Sequence, residues 1–120
     1  MPFDNLLTFI NSELLMAAKD GDIQKVISFI NDDPNMIDIV DSRNNTPLIL
    51  AAGSWENNTE VIQTLIENGA NVHAMNNKMK TAIFEVLIFS FLSINEIQNN
   101  DQARVSVFLI MLACHKNGYF

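Results

Sequence analysis

Apolar residues along this chain gather in short groups at helical spacing, and asparagine, aspartate and glycine separate the groups. Phe3, Leu6, Leu7, Phe9 and Ile10 share one face, away from Asp4, Asn5 and Thr8, and predict a capping helix. Ser12 is placed to accept from the free amides of a second helix starting at Glu13, whose buried side would be Leu14, Leu15, Ala17 and Ala18. Lys19-Asp20-Gly21-Asp22 ends that helix, and Asp22 caps a third, Ile23 to Asn31, with Val26, Ile27, Phe29 and Ile30 inward. Pro34 forbids its continuation, since proline has no amide hydrogen to donate. Met36 to Val40 alternates enough to predict a short strand or arm, followed by a turn at Asp41-Ser42-Arg43-Asn44-Asn45.

Thr46-Pro47 then opens another helix: threonine caps, and proline at the first helical position loses only an amide that would have been orphaned. Leu48, Leu50, Ala51 and Ala52 form its narrow face. A turn from Gly53 to Asn58 leads to Thr59–Glu67, with Val61, Ile62, Leu65 and Ile66 buried, and Gly69 supplies a left-handed residue past the helix end. The groups repeat. Ala17-Ala18 match Ala51-Ala52, Val26-Ile27 match Val61-Ile62, Pro34 matches Gly69 and Ile37 matches Val72, at an offset of about 34 to 35 residues, a period that indicates stacked helical hairpins.

The stretch from Asp41 to Ala74 contains the most complete unit: Asp41-x-x-Asn44-x-Thr46-Pro47-Leu48, Ala51-Ala52, Val61-Ile62-x-x-Leu65-Ile66 and Gly69-Ala70-Asn71-Val72. These residues resemble an ankyrin repeat. The resemblance implies an all-α, ankyrin-type helical solenoid of about three helix-turn-helix repeats with short β-hairpin-like arms. As one domain, 1–40 would hold the N-terminal cap and first repeat, 41–75 the second, and 76–120 a divergent, lengthened third. Two departures change the expectation. Ile49 stands where the family has a histidine, so apolar packing replaces that side chain's hydrogen bonds. The family's turn glycine is Asn44 in the second repeat and Met79 in the third; methionine tolerates a left-handed backbone poorly, so the third hairpin should be distorted.

The third unit uses Thr81-Ala82-Ile83-Phe84 at its helix start and reaches Asn117-Gly118 about fourteen residues later than the period requires. The simplest placement lengthens both helices, Ala82 to about Ile97 and about Gln102 to Lys116, each roughly 23 Å long. Both are apolar almost all round, through Val86 to Phe89, Phe91 and Leu92 on one and Val105 and Val107 to Leu112 on the other. A terminal repeat ordinarily turns a polar face outward, and a helix apolar all round is buried all round. A second copy of the chain or another protein would cover this end, with Phe91, Val105, Phe108, Leu109 and Leu112 as the self-association face. Alternatively the hairpin folds across its own side, or the chain is cut from a longer solenoid.

Composition narrows the function. With 120 residues and a 48% hydrophobic fraction, the chain suits one globular domain, and a formal net charge of -7 disfavours nucleic acid and anionic membranes. Its longest apolar runs fall short of a membrane span. A lone cysteine, Cys114, and the lack of a leader point to the cytoplasm, or to a host cytoplasm if the chain is a secreted effector. No nucleophile with a base, paired carboxylates, zinc spacing or phosphate loop emerges, so no catalytic residue, cofactor or metal is expected: Cys114 and His115 are adjacent on a helix and point about 100 degrees apart, and His73 stands alone in a loop.

What remains is a binding surface. In proteins similar to this one, arm tips and the inner faces of the first helices form a concave strip that recognises other proteins. Here the strip would comprise Ser42, Arg43, Asn45, Asn77, Lys78 and Lys80 at the tips, with Trp55 and Glu56 from the turn between helices. The expected function is non-catalytic binding of a protein partner, such as an inhibitor, an immunity-type antidote or an effector would perform. The alternative is a structural unit that assembles as a homodimer through the apolar C-terminal hairpin.

Overall fold

The computed structural model describes residues 2–54, 58–93 and Leu109, and every regular element among them is helical. Helix α1 runs unbroken from Pro2 to Asp20. The separate capping helix is therefore corrected to the first turns of a longer one. Proline at the helix start costs no bond, and Ser12, exposed in mid-helix, is only weakly unfavourable there, by about 0.5 kcal/mol. Helix α2, Ile23–Asp32, starts where Asp22 accepts from the Lys25 amide at 3.2 Å.

A second correction concerns Met36 to Val40. Asp33 accepts from the Asn35 amide at 3.1 Å, Pro34 fixes the first dihedral, and Pro34–Asp38 winds into a 3-10 helix that buries Ile37. Extended backbone resumes only at Ile39.

Helix α3, Pro47–Ala52, begins at Thr46, whose Oγ1 accepts from the Ile49 amide at 3.1 Å. Helix α4 covers Thr59–Glu67, with the limits the periodicity predicts, and Gly69 follows at φ 91°. Helix α5, Ala82–Ser93, starts where Thr81 Oγ1 accepts from the Phe84 amide at 3.3 Å. The expected continuation of α5 to Ile97 and the helix from Gln102 to Lys116 lie outside the described residues, apart from Leu109, which is helical and half-buried.

The core is a stack of equivalents one period apart. α1 packs on α3 and α3 on α5, while α2 packs on α4 behind them. Leu14 lies a period before Leu48, Val26 before Val61 and Ile30 before Leu65, all buried. Burying each such side chain is worth about 1.5 to 3 kcal/mol. Ala17, Ala18, Ala51, Ala52 and Ala82 are buried too, and their small size lets α1, α3 and α5 approach closely. Ile49 is 3% exposed, so apolar packing does replace the family's histidine.

The joint between the first two repeats is polar. Asn58, 4% exposed, turns its Nδ2 toward the carbonyls of Ala18, Lys19 and Ala51 at 3.3, 3.1 and 3.2 Å. Ser54 Oγ adds a bond to the Lys19 carbonyl at 2.8 Å. These side chains satisfy carbonyls that the last turns of α1 and α3 leave without helical donors.

Candidate functional site: a cationic groove on the concave side

Between the helix pairs the chain makes two superposable turns, 41–45 and 76–80. In the first, Asp41 Oδ1 accepts from the amides of Arg43 and Asn45 at 2.8 and 2.9 Å. In the second, Asn76 Oδ1 accepts from the amides of Lys78 and Lys80 at 2.9 and 3.0 Å. Each turn closes through a bond from its first amide to its last carbonyl, both at 3.1 Å. Asn44 and Met79 sit at the same left-handed position, φ 63° and 60°. The distortion expected at Met79 is absent from this turn: its side chain projects outward, 76% exposed, and the surrounding bonds hold the strained backbone in place. Among the described residues neither turn is flanked by strands, so the β-hairpin-like arms are corrected to hydrogen-bonded turns.

The turns are laced together by their asparagines. Asn77 donates its amide to the Arg43 carbonyl at 2.9 Å, and its Oδ1 accepts from Asn44 Nδ2 at 2.7 Å. Asn76 Nδ2 donates to Asn45 Oδ1 at 2.9 Å, and Asn45 Nδ2 donates to Asp41 Oδ2 at 3.1 Å. The Asp41 carboxylate is thus spent inside its own turn. Partial burial pushes its pKa up, but the bonds from Asn45 and Arg43, together with the Arg43 charge, outweigh burial and leave it below the ordinary aspartate value.

Facing these turns across the concave side are the C-terminal end of α1, the inner face of α3 and the first turn of α5. Together they enclose an open groove of about 320 Å³. Five of the predicted tip residues line it: Arg43, Asn45, Asn77, Lys78 and Lys80. Ser42 lies just beside it, exposed, with its carbonyl 3.5 Å from Asn77 Nδ2. Trp55 and Glu56 lie outside the described residues, as do Val105, Phe108 and Leu112; Phe91 belongs to α5.

Position-by-position transfer of the tips missed half of the wall. Lys19, Ile49, Leu50, Gly53, Ser54 and Glu85 also line the groove. Glu85 was accessible in principle, because it stands four residues after Thr81 as Leu50 does after Thr46. Lys19 could have been aligned with Ser54, one period later. Lys80 Nζ lies 5.6 Å from the Phe84 ring centroid, a cation–π contact that keeps this ammonium over α5. Between them, Lys19, Arg43, Lys78 and Lys80 surround the groove with four cations against the single carboxylate of Glu85. The only ion pair among the described residues lies elsewhere, Lys25 to Glu13 at 3.3 Å.

No group of three His, Cys, Asp or Glu side chains converges to hold a metal among the described residues, and none of their helices is long and apolar enough to cross a membrane. The fold and groove define a helix-turn-helix repeat module with an open groove between its turn tips and helices. The repeat has a family: residues 43–77 match the ankyrin repeat model, so an ankyrin repeat is present in this part of the chain. The matched repeat and the helix-turn-helix architecture around it are consistent with a protein-binding module.

Proposed function

We propose that this chain binds a partner protein through the concave groove between the turn tips and α3. The observation that carries the reading is the convergence of Arg43, Lys78 and Lys80 over Leu50 and Ile49, in a groove whose rim is locked by asparagine bonds. A pre-ordered rim loses little conformational entropy on binding. Such a module would act by occupying a surface of its partner, as a stand-alone inhibitor, an immunity-type antidote or an effector does, within a cytoplasm.

The test is capture of proteins from the native host with the wild-type chain and with Arg43→Glu/Lys78→Glu, both confirmed folded by circular dichroism. A protein retained by the first and lost from the second supports the reading. Equal retention by both places the binding surface elsewhere.

Self-assembly through the C-terminal hairpin is the second reading, supported by the exposure of Phe84 and Leu87 on α5, 44% and 48%. Light scattering across a wide concentration range distinguishes them: a homodimer has twice the 13.5 kDa chain mass, whereas a constant chain mass excludes it.

A further inference from the structure

We propose that the groove accepts a short acidic segment of the partner; this deepens, and rests on, the concave-groove reading above. The first reason is a contrast of sign. The chain has seven Lys and Arg against fourteen Asp and Glu, yet Lys19, Arg43, Lys78 and Lys80 all line this one groove. None of the four is in the only ion pair among the described residues.

The second reason is how the turns dispose of charge. Asp41 and Asn76 perform the same task one period apart, each accepting from two amides of its own turn. At the second turn the acceptor is neutral. Geometry is kept while a carboxylate beside Lys78 and Lys80 is avoided, so the field at those tips is undiminished. Asp41 itself is directed into its turn, where its one charge acts on Arg43 and leaves Lys78 and Lys80 without a carboxylate in their own turn.

The third reason limits the ligand's size and kind. A space of about 320 Å³ holds roughly ten waters, room for a few side chains. Outside it, Asp32, Asp33, Asp38, Glu60 and Glu67 are exposed and repel a long polyanion such as nucleic acid. The negative charge of the ligand must therefore be local. Glu85 on the wall opposes a phosphate chain, which has no donors, but accepts from the amide of a peptide. A peptide with two or three carboxylates matches both features.

The experiment is selection of a random-peptide display library on the full-length chain, followed by titration of the selected peptide and of its Asn/Gln counterpart. Recovered peptides are expected to be enriched in Asp and Glu. Their affinity should fall about tenfold or more in Arg43→Glu/Lys78→Glu, in the Asn/Gln counterpart, and on raising salt from low to physiological strength. Leu50→Arg, which fills the groove while adding positive charge, separates the two levels of the argument. Peptides without acidic enrichment that lose binding in Leu50→Arg overturn the acidic-ligand proposal and leave the concave-groove reading standing. Peptides insensitive to all these substitutions, or an empty selection, count against both. Inorganic phosphate competing as well as the peptide would make this an anion pocket and also overturn the proposal.

Discussion

Replacing Asn58 tests the polar joint between the first two repeats. Its Nδ2 carries two hydrogens and faces three carbonyls, those of Ala18, Lys19 and Ala51, while its Oδ1 has no partner among the described residues. In Asn58→Ala, two bonds worth about 1 kcal/mol each disappear, and the Ala18 carbonyl adds about 1 kcal/mol as an unmet acceptor. The Lys19 carbonyl keeps its bond from Ser54. Removing the unpartnered Oδ1 returns about 1 kcal/mol, so the net loss is about 2 kcal/mol. Asn58→Asp is isosteric yet places a carboxylate oxygen against the same carbonyls, and should lose about 4 kcal/mol or more at neutral pH. Part of that loss is recovered in acid, where the protonated carboxyl can donate once. Urea unfolding followed by circular dichroism reads both variants, and with an unchanged slope the alanine midpoint should fall by about 1 to 2 M. An alanine variant within about 0.5 kcal/mol of wild type, or an aspartate variant no worse than alanine, refutes the bonding scheme.

Three further outcomes follow from the turns and the core. Met79→Asn should raise stability by about 0.5 to 1 kcal/mol, because the left-handed backbone at φ 60° is relieved while a mostly exposed side chain loses little burial; a lower melting temperature would contradict this. Ala51→Leu should cost about 1 to 3 kcal/mol by forcing α3 away from its neighbours, and a neutral effect on the urea midpoint would argue against close helix packing. Asp41 has a folded pKa below its unfolded value, so its contribution is present at pH above the unfolded value and is lost as pH falls through the folded one. Asp41→Asn should therefore lower stability at neutral pH and flatten the acid limb of the stability profile; an unchanged limb would deny the carboxylate this role.

The sequence made α4 legible to the residue because several signals agreed there: a threonine start, apolar periodicity and Asn68-Gly69 at the end. It misplaced the start of α1 because Asn11-Ser12-Glu13 has the composition of a cap, and only tertiary packing decides whether a serine ends a helix or rides along its surface. The 3-10 helix at Pro34–Asp38 was missed for a related reason: five residues of mixed polarity satisfy a strand period and a helical one alike. Asn58 was legible only as a turn residue, since two of the three carbonyls it satisfies come from residues about forty positions earlier. The groove's tips were legible from the repeat, whereas Lys19 and Glu85 join it only because α1 and α5 flank α3.

The asparagine lacing between turns has a consequence for growth. A stack whose every turn offers the next one the same amides has no built-in length, much as a crystal face has none. Here Asn44 and Asn45 hold the following turn through their side chains, but one period later the corresponding residues are Met79 and Lys80, which have no amide to offer. The second turn receives the side-chain lacing and has no amide side chains at these two positions to repeat it. A designer adding a repeat with the same lacing after this turn would begin by placing asparagine at both positions.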